Sequence, residues 1–320
     1  EVFPQHGFEE WRSIDDGYRG YYRPGRDRGA HSTYFEWLVG HGFRPDAKAR
    51  DGFEHFSRQY CCRLPEEFSK PAYLAREAAR FIRESRGGRW LLVVNFFEPH
   101  MPFTSCRDGQ YDPAQVSLPP SFEHDPGPAA PLKVRLFRDA YRRCGHGGLP
   151  LETEAHWRRL VANYWGLNSL VDAHLGTILA ALAETHQADE TVVVYTSYHG
   201  DMMGAHRLLA KCVMFEEAAR VPLLLRLPGV RCAGRRVAGP VSQVDLVPTL
   251  LEALGQGVPE ALQGASWMPR LRGDAPAGGG DVFIEWNGPN GGFGDVLGKV
   301  QMPDCSAELA SAQAVDAALR

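Results

Sequence analysis

A chain of 320 residues is long enough for one large domain with a smaller appendage. With 44% apolar and 23% charged residues its composition is that of an ordinary globular protein. A net charge of −4 lacks the basic excess that nucleic-acid binding requires. No uninterrupted apolar run approaches the roughly 18 residues of a membrane-span candidate, so neither nucleic acid nor a membrane is expected as a partner. The opening shows no basic segment followed by an apolar one, and it begins at Glu1 rather than Met, which leaves room for a processed leader upstream. The seven cysteines have no Cys-x-x-Cys spacing; read as reduced thiols packed like small hydrophobes, they lean the chain toward a reducing, cytoplasmic setting.

In chain order, the first 60 residues are rich in Gly, Arg, Asp and aromatics and read as loop with short helices. Ser69 predicts a helix cap, with Pro71 in the first turn and Tyr73, Leu74, Ala78, Phe81 and Ile82 on one face of a helix through about Ser85. Residues 90–97, WLLVVNFF, are so continuously apolar that they predict a strand buried on both faces, ended by Pro99 and leaving His100 just beyond it. Residues 105–150, full of Pro, Gly and charge, read as a long excursion. Leu160, Val161, Tyr164, Leu167, Val171, Leu175, Ile178, Leu179 and Leu182 then recur at helical spacing over residues 154–184.

Strands at 191–197 and 221–227 and a helix around 242–254 follow, and a Gly/Pro-rich stretch over 256–280 marks a boundary. Beyond it lie a strand at 282–286 and an Ala-rich helix at 307–319. Alternating strands and helices predict an α/β fold with a mainly parallel sheet sandwiched by helices. The domain reading is residues 1–270 for that body and 271–320 for the start of a small C-terminal antiparallel subdomain.

The chemistry is concentrated in residues 191–228, TVVVYTSYHGDMMGAHRLLAKCVMFEEAARVPLLLRLP. An apolar run breaks into a Gly-punctuated loop that carries His199, Asp201, His206 and Lys211, all able to hold a metal ion or an oxyanion. Such a loop, at the carboxyl end of a strand, is where an open α/β sheet places its site. The passage resembles the second metal-binding segment of the sulfatase family, T-S-D-H-G-D-x-x-G-x-H followed by Lys, with Tyr198 where the family has Asp. FFEPHMPF, around His100, is similar to the family's Pro-His-x-Pro-Phe segment.

The resemblance covers almost the whole chain and implies an alkaline-phosphatase-like fold that hydrolyses sulfate esters. It implies that His100 and Lys211 hold the sulfuryl oxygens and that His199 binds a divalent cation, Ca2+ first and Mg2+ or Mn2+ as alternatives. The substrate implied is a sulfated small molecule or glycan. Tyr198, at the metal position, weakens that cation site: a phenol with a pKa of about 10 is neutral where a carboxylate would be charged. Asp201 could stand in for the missing carboxylate only if the Gly200 turn aimed it at the ion, which is not expected.

The family's nucleophile is a formylglycine made within Cys-x-Pro/Ala-x-Arg, and no cysteine of this chain sits in that pattern. The early Asp-Asp metal pair and the Gly-Lys-Trp-His segment are also absent, so the resemblance places the nucleophile region upstream of Glu1. This segment alone is therefore expected to be inactive. Two alternatives stand beside a sulfate ester hydrolase: a phosphonate monoester or phosphodiester hydrolase of the same superfamily, and a non-catalytic sulfatase-like binding protein.

Overall fold

Side-chain caps set the starts of three helices. Ser32 accepts from Phe35 N to open α1 (Thr33–Gly40), and Ser69 accepts from Ala72 N to open α2 (Lys70–Glu84). After α3 (Leu132–Cys144), Thr153 accepts from His156 N to open α4 (Glu154–Glu184). The structure is a computed structural model that describes residues 7–14, 31–45, 64–101, 103–146, 149–211, 213–229, 234–274 and 280–284. The chain divides into two units. The first runs to Ala188 and takes in Met203–Leu209; the second begins at Asp189 and resumes at Ala210 after that insert. The boundary expected at residue 270 falls inside the second unit.

In the first unit, α2 packs against α4. Tyr73, Ala78 and Ile82 of α2 are buried, as are Leu160, Val161, Leu167, Val171, Ile178 and Leu182 of α4. The helical spacing in the sequence thus marks the buried stripes of both helices. Trp157, 1% exposed, joins that core and donates its Nε1–H to Leu151 O at 2.9 Å. Gln187 donates to Ile82 O at 2.9 Å and accepts from Trp90 Nε1 at 3.0 Å, tying the C-terminal ends of the two helices. By length and composition α4 could cross a membrane, but the buried stripe it turns toward α2 is that of a core helix. A smaller cluster of Tyr34, Leu38, Leu64 and Tyr73 seats α1, with Tyr34 Oη donating to Phe68 O at 2.6 Å.

The second unit holds β1 (Val193–Thr196), α5 (Glu216–Ala219), β2 (Leu223–Arg226), α6 (Leu246–Ala253) and α7 (Met268–Arg272). β1 and β2 pair antiparallel, with Val193 opposite Arg226 and Thr196 opposite Leu223. This corrects the mainly parallel expectation for this pair: the 197–222 connection returns the chain on the neighbouring strand, running the other way. Burial on both faces is not observed either. Exposure alternates along β2, where Leu224 is 64% exposed. Residues 90–97 lie outside any strand among the described residues, and Leu91 and Val93 face outward. Apolar side chains on both sides of a strand are buried only where layers cover both sides. The helix expected at 242–254 is a 3-10 turn, Gln243–Asp245, running into α6. Of the expected 282–286 strand, residues 282–284 are described and lie outside any strand; the 307–319 helix lies outside the described residues.

Candidate anion-binding site on the loop after β1

β1 ends at Thr196, where three contacts hold the turn. Thr196 Oγ1 donates to Pro222 O at 2.9 Å, Gln243 Nε2 donates to Ser197 O, and Ser197 Oγ donates to His199 O at 2.7 Å. Gln243 carries no motif signal, and its part in fixing the loop is visible only in three dimensions.

His199 is fixed more tightly still. Its Nδ1 lies 2.7 Å from Gly200 O, a carbonyl that can only accept, so Nδ1 carries the proton and Nε2 the lone pair. That Nε2 is buried and has no hydrogen-bond partner. Burial lowers the pKa of His199 below the ordinary histidine value of 6.5; the Gly200 bond opposes the shift and the charge of Lys211 adds to it. The imidazole is thus neutral at pH 7, with a lone pair held inside beside a cation. A histidine ligand is oriented in this way, by a backbone carbonyl on the other ring nitrogen.

Gly200 is required at its position by close packing. Its N–H donates to Ala218 O at 2.9 Å, and a Cβ there would lie 2.0 Å from Glu217 O, the backbone of α5. Asp201 closes the loop by accepting from Ala210 N at 3.0 Å, beside the Met202 N to Ala210 O bond of 2.8 Å. That backbone duty accounts for one oxygen of Asp201. Tyr198 is 71% exposed, its ring edge-on to His199 at 4.0 Å between centroids.

For a hard divalent cation this donor set falls short. Ca2+ takes about six to eight oxygen ligands. Among the described residues no group of three or more His, Cys, Asp and Glu could hold a metal ion. His199 Nε2 suits the role of one ligand, and Tyr198 brings an exposed neutral phenol in place of a carboxylate. The described residues do not build the shell.

The structure brings His199 and Lys211 into electrostatic range of each other, both in the second unit. His100 belongs to the first unit. There its amide donates to Phe97 O at 3.1 Å, its Nδ1 lies 3.0 Å from Met101 O, and its ring leans on Phe97 at 4.7 Å. A carbonyl again fixes the tautomer, with the proton on Nδ1.

A strand-end loop that carries an oriented histidine and a neighbouring lysine is the place where an open α/β sheet puts its site, and the comparisons with known proteins supply the class. The chain belongs to the sulfatase family, whose model matches residues 1–256. It is 32% identical over 285 residues to the multifunctional alkaline phosphatase superfamily protein PehA of Trinickia caryophylli, covering 82% of this chain and 54% of that protein. It is 41% identical over 119 residues to arylsulfatase K of Danio rerio, covering 37% of this chain and 23% of that one. Among solved structures it is similar to the phosphonate monoester hydrolase SpPMH from Silicibacter pomeroyi, with a TM-score of 0.61 and 27% identity. That likeness covers 76% of this chain and 50% of the other, and it supports the α/β class. The chain thus spans about half the length of the relatives it matches over most of its own length.

Proposed function

We propose that this chain is the anion-binding part of a hydrolase acting on esters of singly charged tetrahedral acids, phosphonate monoesters first. The observation that carries the reading is the Lys211 charge within electrostatic range of His199 on the strand-end loop. The Nε2 lone pair of His199 is an acceptor, suited to a cation or a proton donor rather than to the anion itself. Lys211 stabilises negative charge on the non-bridging oxygens as the ester bond breaks, an interaction that strengthens toward the transition state. The part of His100, donation to an anionic oxygen, rests on its Pro-His-x-Pro-Phe segment and requires the imidazolium, because the neutral ring spends its one N–H on Met101 O. The likeness to SpPMH over three-quarters of this chain supports the phosphonate choice. A sulfate ester is the second reading, supported by the local likeness to arylsulfatase K.

The chain as it stands is proposed not to turn over either ester, because none of its cysteines lies in Cys-x-Pro/Ala-x-Arg. Loss of a covalent nucleophile costs about 10^6-fold in kcat in a well-studied hydrolase. The test pairs an assay with 4-nitrophenyl phenylphosphonate and 4-nitrophenyl sulfate with calorimetry of phenylphosphonate and sulfate. Expected are no turnover by the chain or by its Tyr198→Asp variant, and weak anion binding that falls in Lys211→Met. Turnover by the unaltered chain would reveal a different nucleophile. Binding indifferent to Lys211→Met would remove the anion site.

A further inference from the structure

His206 has no part in the reading above, yet it meets a second imidazole within the first unit. His124 Nδ1 and His206 Nδ1 lie 3.0 Å apart, the ring planes at 71° and the centroids 5.0 Å from each other. The backbone holds the pair in place: the amides of His124 and His206 both donate to one oxygen, Ser121 O, at 3.1 and 3.0 Å. His206 is 9% exposed and sits at φ 53°, ψ 25°, a conformation that costs a residue with a side chain about 1 kcal/mol or more. The charges around the pair are themselves paired. Arg207 contacts both oxygens of Glu123 at 2.6 and 2.7 Å, and Arg138, on α3, pairs with Asp125 at 2.5 Å.

We infer that His124 and His206 form a two-imidazole site for a divalent transition metal ion, Cu2+ or Ni2+ ahead of Zn2+. Two metal–nitrogen bonds of about 2.05 Å at a right angle put their nitrogens about 2.9 Å apart, whereas a tetrahedral angle separates them by about 3.3 Å. The observed 3.0 Å is the hydrogen-bond length of the metal-free pair and lies within the range one ion can span. Imidazole ligands place Cu2+ ahead in affinity. Hard ions such as Ca2+ select oxygen instead.

In the metal-free pair one Nδ1–H donates to the other Nδ1. Binding moves that proton to Nε2 of the donor ring, so both Nδ1 lone pairs turn to the ion and a neutral pair releases nothing. A pair carrying one further proton releases it, so affinity falls as pH drops. His124 is exposed, which gives its ring room to turn and lets water complete the coordination.

Titrating the whole chain with Cu2+ and Ni2+ by calorimetry, with Cu2+ electron paramagnetic resonance to count nitrogen ligands, tests the site. One saturable ion with two nitrogen ligands is expected. Affinity should fall in His124→Gln by at least the roughly tenfold that losing even an outer partner costs. His206→Asn, which tolerates the positive φ, should lose as much. Because His124 is exposed, its variant keeps the fold, which circular dichroism checks. Unchanged affinity in His124→Gln, or no saturable binding by the unaltered chain, overturns the assignment.

Discussion

At the scale of the residue, His199 concentrates three constraints: a fixed tautomer, a buried lone pair and a neighbouring positive charge. Each disfavours the imidazolium or orients the neutral ring, and the folded pKa is lowered with burial as the largest cause. The unfolded chain therefore binds a proton more readily than the folded one. The corresponding stability is present above the unfolded value near 6.5 and is lost as pH falls through it toward the folded value. His174, also lowered chiefly by burial, contributes with the same sign. Thermal unfolding followed between pH 7.5 and 5 should show stability falling on acidification, and less steeply in His199→Gln. By NMR, Lys211→Met should move the His199 titration upward; a titration that stays put would separate the lysine from the site. The steric argument at Gly200 is sharper. A methyl group 2.0 Å from Glu217 O forces the loop away from α5, so Gly200→Ala should destabilise by about 1–3 kcal/mol in denaturant unfolding.

At the scale of the element, α2 and α4 were legible, whereas α1 and the sheet were not. Ser69, Pro71 and the spaced apolar residues after them specify α2 locally, and Thr153 with a long apolar stripe does the same for α4. Ser69→Ala should cost about 1 kcal/mol, measured by urea unfolding, because it leaves the Ala72 amide without its side-chain acceptor. α3 went unseen within residues 105–150. Val134, Phe137, Ala140 and Tyr141 do recur at helical spacing and are buried, but they stand among arginines that read as loop. The antiparallel sense of β1 and β2 could not be read, because strand pairing is set by contacts far apart in the sequence. The candidate site divides in the same manner. The motif marked Tyr198, His199 and Lys211, while the tautomer of His199, the loop-closing bond of Asp201 and the Gln243 clamp depend on backbone geometry that no spacing encodes.

At the scale of the whole molecule, the apolar residues that the sequence marks for burial and the structure leaves in contact with water decide how the chain behaves in solution. Leu91 is 69% exposed, Val93 64% and Leu224 64%. The first two lie on a segment outside any strand among the described residues. β1 and β2 form a two-stranded sheet, a size that is marginal alone and depends on packing for stability. Unpaired extended backbone with an apolar face is a template for strand addition. The isolated chain is therefore expected to self-associate at micromolar concentration, seen as a concentration-dependent mass in light scattering coupled to gel filtration. Leu91→Lys with Val93→Thr should shift the distribution toward monomer without loss of helix signal, since neither side chain is buried. Leu224→Lys should do so independently if both exposed faces contribute. A monodisperse monomer at every concentration, unchanged by these substitutions, would show that these exposed faces are not competent to pair.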